Sequence, residues 1–379
     1  MAVTILVLIF YVVSTLALQT NQFCKQKVQN RTSTTTTTTT PPTLTTTTNP
    51  PTPLLLNCPP SDVTITSTLP SFQICLRPTI EKDYISQKIR ETGLWEPVNT
   101  ARIVNILSLQ KAARTDPDVS LGVVIDIGAH LGWYTLLAAS HGFSVVAFEP
   151  LRAQRERLQA SVLLNGFEDL ITIMPYAVSN VAGTSVTQMW TGNGIVAGTE
   201  MHPVVHSNTG GSWIKPMDWT TEEAAQFASV SQVGIDTVLL DAALNALGIE
   251  SILLIKADIE GHLGLALAKG TKTLDRTAFL FLEITPKVEA ANGCNTTGMI
   301  QMLFNKGFRM CFPPKCMKGT HPSVCQVEDV HMLEGETCMD GAPIFLSFLH
   351  ASVSPTEDGS EWVWAYEDVL LAKVAAPSL

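Results

Sequence analysis

The sequence predicts an α/β fold with a mostly parallel sheet, helices on both of its faces and a closing antiparallel strand. Three observations carry this prediction. Short runs rich in valine and isoleucine alternate with segments of helical periodicity, the pattern of repeated strand–helix–strand units. The first run enters a turn that contains Gly128 and Gly132. Two later runs end on the carboxylates Asp258 and Glu283, as strands do at a ligand-binding edge.

The first strand–helix–strand unit covers residues 123–150. An apolar run enters the turn, an apolar helical segment follows, and a second apolar run ends at Glu149-Pro150. Gly128 and Gly132 permit a tight turn and the close approach of a ligand, and the helix that follows aims free N–H groups at the turn. Glu149 lies about twenty residues beyond the glycines, where an acidic side chain accepts hydrogen bonds from ribose hydroxyls. The unit therefore predicts a nucleotide-like cofactor.

The spacing of the turn distinguishes between cofactors. A dinucleotide site has the pattern G-x-G-x-x-G, whereas here Asp126 is followed by Gly128 and Gly132 with no third glycine. S-adenosylmethionine has no pyrophosphate to cradle, so the turn favours this cofactor. The alternative is an ordinary turn between a strand and a helix, in which Asp126 caps the helix.

Five motifs, in order along the chain, resemble the FkbM-type methyltransferases. They are Val124-Ile125-Asp126-Ile127-Gly128-Ala129-His130-Leu131-Gly132-Trp133-Tyr134-Thr135, Ala147-Phe148-Glu149-Pro150, Leu164-Asn165-Gly166, Ala177-Val178-Ser179 and Ile255-Lys256-Ala257-Asp258-Ile259-Glu260-Gly261. The resemblance extends over about residues 93–308. It implies a class I, Rossmann-like methyltransferase fold that uses S-adenosylmethionine, usually with O-methyltransferase activity. The chain departs from the family pattern at Ala257 and at residues 261–264.

The turn and the resemblance together indicate which residues hold the cofactor. We expect the cofactor site to consist of Asp126, Gly128, Ala129, His130, Gly132, Glu149, Pro150, Ala177 and Asp258. In the family a Glu-Pro element similar to Glu96-Pro97 packs over the cofactor, so Trp95 and Glu96 are candidates for a lid.

Asp258, Glu260 and His262 are the predicted catalytic residues. Lys256, Asp258 and Glu260 alternate along a predicted strand, so they point to one side and can share a network. We expect Asp258 to position the methionine portion of the donor, and Glu260 or His262 to orient or deprotonate the acceptor. His130 is a further candidate. The alternative is a structural ion-pair network around Lys256, and no metal site is predicted.

Composition limits the acceptor. The chain has 379 residues, of which 45% are hydrophobic and 15% charged, so it can bury one large core or two modest ones. A net charge of -10 and a pI near 5.3 argue against nucleic-acid binding, which needs basic surfaces. We expect a hydroxylated acceptor such as a glycan. A secreted or surface module that keeps the fold but has no catalytic activity is the alternative.

The N-terminal residues predict entry into the secretory pathway, with the Golgi lumen, the cell surface or secretion as destinations. Residues 1–17 are almost wholly apolar and are typical of a signal peptide, with a signal anchor as the alternative. Contact with a membrane is expected only through this segment if it is not cleaved. Residues 18–60 form a stalk rich in threonine and proline, and residues 61–379 form the methyltransferase domain.

Eight cysteines fit an oxidising compartment. Three precede the core and five follow it, in a disulfide-bearing C-terminal region (residues 294–338), so complete pairing requires a bridge between the two groups. We expect Cys58 or Cys75 to supply its N-terminal half. A zinc site is the alternative, although no C-x-x-C spacing supports it; its ligands would be Cys311, Cys316, Cys325 and Cys338 with His321 or His331. Asn30 and Asn295 lie in glycosylation sequons.

Other segments complete the prediction. Residues 80–107 look helical, and residues 189–233 lose periodicity and gather glycine, tryptophan and histidine. A loop this long is usually functional, so we expect it to form the acceptor-binding wall, with Trp190 and Trp213 as sugar contacts or as anchors of the loop. Residues 342–349 and 362–371 are candidates for the closing antiparallel strands.

Overall fold

The computed structural model describes residues 23–24, 58–81, 83–113, 121–192, 194–195, 207–208, 213–214, 230–312, 337–339 and 367–373. The predicted signal segment, most of the predicted stalk and the predicted strand at 342–349 lie outside these residues. Within the described part of the chain, no helix is both long enough and apolar enough to cross a membrane.

The elements follow one another in the alternating order that the sequence predicts. The first half of the chain contains β1 (Val63–Ile65), β2 (Gln73–Cys75), α1 (Tyr84–Thr92), α2 (Pro97–Ala113), β3 (Val123–Ile127), α3 (Trp133–Ser140), β4 (Val145–Phe148), α4 (Arg152–Asn165), β5 (Ile171–Met174) and β6 (Ala177–Val178). Next come β7 (Gly183–Gly192), β8 (Gly194–Ile195), β9 (Ser207–Asn208), β10 (Trp213–Ile214), β11 (Val230–Val238) and α5 (Leu240–Ala246). The last elements are β12 (Ile252–Ala257), α6 (Leu263–Leu267), α7 (Thr271–Asp275), β13 (Thr277–Ile284), α8 (Pro286–Ala291), α9 (Thr296–Asn305), β14 (Phe308–Phe312), β15 (Thr337–Met339) and β16 (Glu367–Lys373).

An eight-stranded sheet forms the centre of the fold, in the order β15-β14-β16-β13-β12-β3-β4-β5. Strands β5, β4, β3, β12 and β13 are parallel neighbours, and β16 inserts antiparallel beside β13. These pairings confirm the predicted sheet and its closing antiparallel strand, which was expected at 362–371. The chain leaves β3 toward β4 and β5, and later returns to the other side of β3 as β12. The β3–β12 boundary is therefore the topological switch point, where open α/β sheets bind ligands.

Helices cover both faces of this sheet because its buried strands are apolar on both sides. On one face, Ile125 and Ile255 pack with α5, α6, α7 and α9. On the other face, Val124, Leu254 and Phe281 pack with α1 to α4. The two clusters contain most of the large buried side chains in the described part of the chain, and this arrangement confirms the predicted layers.

The helical prediction at 80–107 becomes two helices. Helix α1 ends at Gly93, whose left-handed backbone (φ 70°) lets its N–H bond to the carbonyl of Ile89. Helix α2 starts at Pro97, which supplies the fixed φ that suits a first helical position. The break between the helices brings Glu96 to the carboxyl edge of the sheet.

The disulfides correct one prediction. A bridge does join the N-terminal flank to the C-terminal region, as the odd numbers of cysteines require, but it is Cys24–Cys294. The choice of Cys58 or Cys75 for that bridge was wrong, because these two bond to each other across the β1–β2 hairpin. Cα partners in the β14–β15 register include Cys311 and Cys338. Cys316 and Cys325 lie outside the described residues.

The stretch predicted as a long loop is bounded by strands. Strands β7 and β11 form an antiparallel pair in which Met189 lies opposite Val233, so both ends of 189–233 belong to a four-stranded sheet in the order β10-β7-β11-β6. The backbone of Trp213 pairs with that of Trp190 in this sheet. The expectation of a loop was wrong at these ends. Most of the remaining stretch lies outside the described residues.

Glu289 is fully buried beside the N-terminus of α6 and is a source of pH-dependent stability. One oxygen accepts the Gly264 N–H at 2.8 Å, and the other has no hydrogen-bond partner. Burial raises the pKa of Glu289 from 4.5 to about 8, so the folded chain holds a proton that the unfolded chain has released. The stability contributed by this group is complete below pH 4.5 and is lost as the pH rises through 8.

We expect Glu289→Gln to flatten this pH dependence by a few kcal/mol, on the order of the shift in pKa. Urea unfolding at mildly acidic and mildly alkaline pH measures it, with the exposed Glu156→Gln as the matched control. The variant should lose less free energy of unfolding on alkalisation than the wild type does. An equal loss in both proteins would show that Glu289 does not hold the proton.

Candidate functional site

The carboxyl ends of β3, β12 and β13 meet the amino end of β16 at one edge of the sheet. In the register, Lys256 lies beside Asp126, and Glu283 lies opposite Asp368. Lys256 is also the register partner of Phe281 in β13. Asp258 and Glu283 each lie two residues further along, so they are neighbours and point to the same side of the sheet. The sheet edge therefore collects charged side chains from four strands at the switch point.

The two glycines of the turn meet different neighbours. Gly128 has a φ of +83°, and a Cβ on it would lie 2.0 Å from the carbonyl oxygen of Asp258. Gly132 has a φ of +89°, and its Cβ would lie 2.2 Å from Leu158 of α4. Gly128 thus lets the two loops of the switch point touch. Gly132 lets α4 pack against the turn, a requirement of the fold rather than of a ligand.

Glu149 is held between the turn and the end of β4. Its two carboxylate oxygens accept the backbone N–H groups of His130 and Leu151, each at 2.8 Å. Burial raises the pKa of Glu149 to about 7, although both backbone hydrogen bonds oppose the shift. Each oxygen retains a second lone pair, so the carboxylate can still accept ligand hydroxyls. Arg155 donates to the carbonyl oxygen of Glu149 at 3.0 Å and also to that of Pro150.

Asp126 lies beneath the turn and is 1% exposed. One oxygen accepts the Thr135 hydroxyl at 2.6 Å, so Asp126 bonds to a side chain in the first turn of α3, whose N-cap is Gly132. The other oxygen has no hydrogen-bond donor and lies 3.9 Å from the Lys256 ammonium. This buried oxygen is available to a ligand donor.

Five carboxyl side chains lie near Lys256 or near each other at this edge, and we call Glu96, Asp258, Glu260, Glu283 and Asp368 the carboxyl ring. The Lys256 ammonium pairs with Asp258 at 3.4 Å and lies 5.1 Å from the centre of the Tyr134 ring. Asp258, Glu260 and Glu283 each place an oxygen within 4.8 Å of the others. Such a group could hold a divalent cation, which the sequence did not indicate.

Hydrogen bonds attach the predicted lid to the ring. The Tyr134 hydroxyl donates to Glu96 at 2.5 Å, and the Asn99 amide nitrogen lies 3.3 Å from Glu96 and 2.7 Å from Asp368. Asn99 therefore links the start of α2 to β16. The structure places Glu96 at the sheet edge, while Trp95 lies in edge contact with Tyr84.

Burial and mutual repulsion raise the pKa values of four of the five carboxyls of the ring. Burial raises the pKa of Glu96, and it raises the pKa values of Glu260 and Glu283 well above the usual range. The pKa of Asp368 rises to about 7 for the same reason. The charge of Asp258 adds to each of these shifts, so Asp258 lies at the centre of the group.

Backbone strain is concentrated at the same edge. Among the described residues other than glycine, left-handed backbone occurs at Glu96 (φ 41°), His130 (φ 51°) and Glu260 (φ 52°). Such conformations cost about 1–3 kcal/mol each and cluster at functional sites. All three residues belong to the predicted site or its lid.

The structure does not bring His262 to the ring. Its Nε2 atom lies 3.0 Å from the Ser179 hydroxyl, and the side chain is 4% exposed. Burial alone lowers the pKa of His262 to about 4, with no contribution from a ring carboxyl. Ala177 likewise pairs with Thr237 in the second sheet. His130 lies at the turn, and burial lowers its pKa to about 4 as well.

The sequence missed the contributions of Asn99, Tyr134 and Asp368. Tyr134 falls within the first motif, but nothing in that motif indicates a hydroxyl directed at Glu96. Asp368 is the second residue of β16 and directly precedes the apolar part of that strand. The predicted closing strand was therefore the one signal that could have placed Asp368 at the carboxyl edge.

Comparisons with known proteins find one matching family domain and several similar solved structures. Residues 126–310 match the model of the Methyltransferase FkbM domain. No curated protein matches the chain. Similar solved structures include a proposed S-adenosylmethionine-dependent methyltransferase from Listeria monocytogenes (10% identity, 56% of this chain and 88% of that chain, TM-score 0.28). A second is an S-adenosylmethionine-dependent methyltransferase from Agrobacterium tumefaciens (10% identity, 62% of this chain and 59% of that chain, TM-score 0.29). A third is an O-methyltransferase from Bacillus cereus in complex with SAH (11% identity, 73% of this chain and 91% of that chain, TM-score 0.26). Over residues 126–310 the chain therefore matches the FkbM methyltransferase domain, and this part of the chain is a methyltransferase domain.

Proposed function

We propose that this chain is an O-methyltransferase of the secretory pathway that transfers a methyl group from S-adenosylmethionine to a hydroxyl of a glycan or another hydroxylated acceptor. The observation that carries the proposal is the placement of Glu149 and the carboxyl ring on either side of the switch-point turn. Glu149 suits the ribose hydroxyls of the donor, and the ring suits its cationic end and the acceptor.

The residues present fit the donor. The buried Asp126 oxygen without a hydrogen bond can accept a donor N–H, and Glu149 keeps lone pairs for two hydroxyls. Lys256 is the one cation among the described side chains that bear on the ring carboxyls, so the edge favours a positively charged ligand. When bound, S-adenosylmethionine supplies an activated methyl group.

The residues that hold the acceptor contribute the positioning and the deprotonation of its hydroxyl. An in-line displacement requires the acceptor oxygen about 3 Å from the methyl carbon, so positioning contributes most to the rate. We propose that Asp258 and Glu260 orient the acceptor hydroxyl, and that Glu260, deprotonated when the cationic donor is bound, receives its proton, which contributes about a hundredfold or more. His262 is buried against Ser179, so its role is to support the loop after β12.

The test of the proposal is methyl transfer in solution. The purified chain is incubated with isotopically labelled S-adenosylmethionine and a panel of glycans and other hydroxylated compounds, and products are identified by mass spectrometry. We expect label on a hydroxyl oxygen, with loss of most turnover in Glu260→Gln and wild-type turnover in Asp275→Asn at the opposite edge of the sheet. Label on nitrogen, sulfur or carbon would refute O-methylation.

We expect Glu149→Ala to weaken donor binding by about 1.5–3 kcal/mol, roughly tenfold or more, because ribose hydroxyls would lose a charged acceptor. The two backbone N–H groups that Glu149 satisfies would also lose their partner. Calorimetric titration with S-adenosylhomocysteine measures the change, and Glu149→Gln is the matched variant that keeps one acceptor oxygen. If Glu149→Ala bound S-adenosylhomocysteine with wild-type affinity, Glu149 would not be part of the donor site.

The secretory location is supported by two disulfides and by an accessible sequon. Asn295 is exposed, and its side chain makes no capping bond at the start of α9. In chain secreted from eukaryotic cells, we expect a glycan on Asn295 that Thr297→Ala removes and Thr296→Ala leaves in place. Glycosidase treatment with peptide mass spectrometry measures it. An unmodified Asn295 in secreted chain would contradict the prediction.

A further inference from the structure

The carboxyl ring contains many more carboxyl side chains than basic side chains. Counting Asp126 beneath it, the cluster at this edge contains six carboxyl groups and the single ammonium of Lys256, a residue that is 6% exposed. The ring members come from the segment before α2, the loop after β12, β13 and β16, so no single element accounts for the cluster. Lys256 is already engaged by Asp258 and Asp126, at 3.4 Å and 3.9 Å. The excess of carboxyl groups over ammonium groups favours the binding of a further cation at this edge of the sheet.

The ring borders the place where the donor must lie. Gly128, in the turn that follows β3, approaches the backbone of Asp258 so closely that no Cβ would fit between them. Glu149 lies beyond the turn on the side of β4, whereas the ring lies on the side of β12 and β13. A donor whose ribose contacts Glu149 therefore extends its sulfonium and methionine portion toward the ring.

We propose that the carboxyl ring recognises the positive charge of the donor's sulfonium, so that the site prefers S-adenosylmethionine to the neutral-sulfur product S-adenosylhomocysteine. This inference rests on the proposed function. The two ligands share adenosine, ribose, ammonium and carboxylate groups, so the sulfonium is the charge that separates them. Such a preference would favour release of the product after each transfer.

The preference should depend on pH because a cation displaces protons from the ring. Burial and repulsion raise the pKa values of Glu96, Glu260, Glu283 and Asp368, so these four carboxyls bind protons more tightly than free carboxyls do. A bound sulfonium stabilises the charged carboxylates and releases those protons. The slope of log affinity against pH equals the number of protons released, about tenfold per pH unit for one proton.

Other titratable groups near the ring do not change how the ratio of the two ligand affinities depends on pH. The pKa of Tyr134 is raised, and the pKa of His130 is lowered to about 4, so both stay neutral near pH 7. The pKa of Lys256 is raised, so its ammonium stays charged. Glu149 has a pKa of about 7 but faces the ribose, which both ligands carry, and its effect cancels in their ratio. Asp126, with a raised pKa, is the remaining carboxyl that contributes to the difference.

The test is calorimetric titration of the full chain with each ligand from pH 6 to 8.5, in buffers of different ionisation enthalpy and with a chelator present. We expect S-adenosylmethionine to release more protons than S-adenosylhomocysteine, and the ratio of their affinities to rise about tenfold or more across the range. Glu283→Gln and Asp368→Asn should each reduce the difference. Asp275→Asn, an exposed residue at the amino edge of the sheet, should leave it unchanged.

The outcomes separate this inference from the proposed function. If neither ligand binds, the proposed function fails. If both bind with equal proton release and a constant ratio, the inference fails and the donor site stands. A parallel titration with magnesium chloride alone examines the other cation that three carboxylates could hold. Magnesium binding that abolishes the pH dependence would identify the ring as a metal site and overturn the inference.

Discussion

Gly128→Ala should destabilise the chain by about 2–5 kcal/mol and abolish donor binding. A side chain in a left-handed conformation costs about 1–2 kcal/mol, and displacing the Asp258 carbonyl from a contact of 2.0 Å adds an overpacking cost of about 1–3 kcal/mol. The contact joins the two loops of the switch point, so relief of the clash would separate the turn from the carboxyl ring.

Gly142→Ala is the matched control. Its φ of +84° nearly equals the +83° of Gly128, but no heavy atom lies within 4 Å of its Cβ position. We expect it to cost about 1–2 kcal/mol and to leave donor binding unchanged. Urea unfolding and calorimetry of the two variants measure the difference. Equal effects would mean that backbone conformation alone, and not the approach of the two loops, requires Gly128.

Removal of the Cys24–Cys294 bridge, by serine at both positions, should lower the free energy of unfolding by about 5 kcal/mol in the loop-entropy model. The bridge closes a sequence separation of 270, whereas Cys58–Cys75 closes 17 and should contribute about 3 kcal/mol. The Phe23 carbonyl oxygen also accepts the Asn295 N–H at 2.7 Å, a contact that depends on the bridge.

Chemical denaturation of the two double variants under identical conditions tests the ranking. The Cys24/Cys294 variant should be the less stable of the two. The opposite order would indicate that the N-terminal flank keeps its position without the bridge, or that the hairpin of β1 and β2 carries more of the stability than its loop length suggests.

The fold could be predicted from the sequence wherever a local pattern determined it. The run from Val123 to Glu149 encodes strand, turn, helix and strand within one short segment, and the structure agrees with it. Strand β12 was found because its apolar run ends in alternating charges. Strands β14 and β15 were missed because such short strands carry little periodicity of their own.

The site could be predicted only in part, because it is assembled from distant segments. Asp126, Glu149, Asp258 and Glu260 were recognised from motif spacing. His262 follows the same motif, yet it turns away toward Ser179, and spacing alone could not show this direction.

The ring members outside the motifs depend on tertiary packing. Asp368 reaches the ring only because β16 inserts beside β13, and Asn99 only because α2 begins above it. The cysteines show the same limit, since their numbers required a bridge between the flanks but not the identity of Cys24.

Binding of the donor to the purified chain tests the central claim most directly. Calorimetric titration with S-adenosylmethionine and with S-adenosylhomocysteine should show saturable binding of one molecule per chain. Absence of binding of both ligands at millimolar concentration would contradict the account of this site as a methyl-donor site.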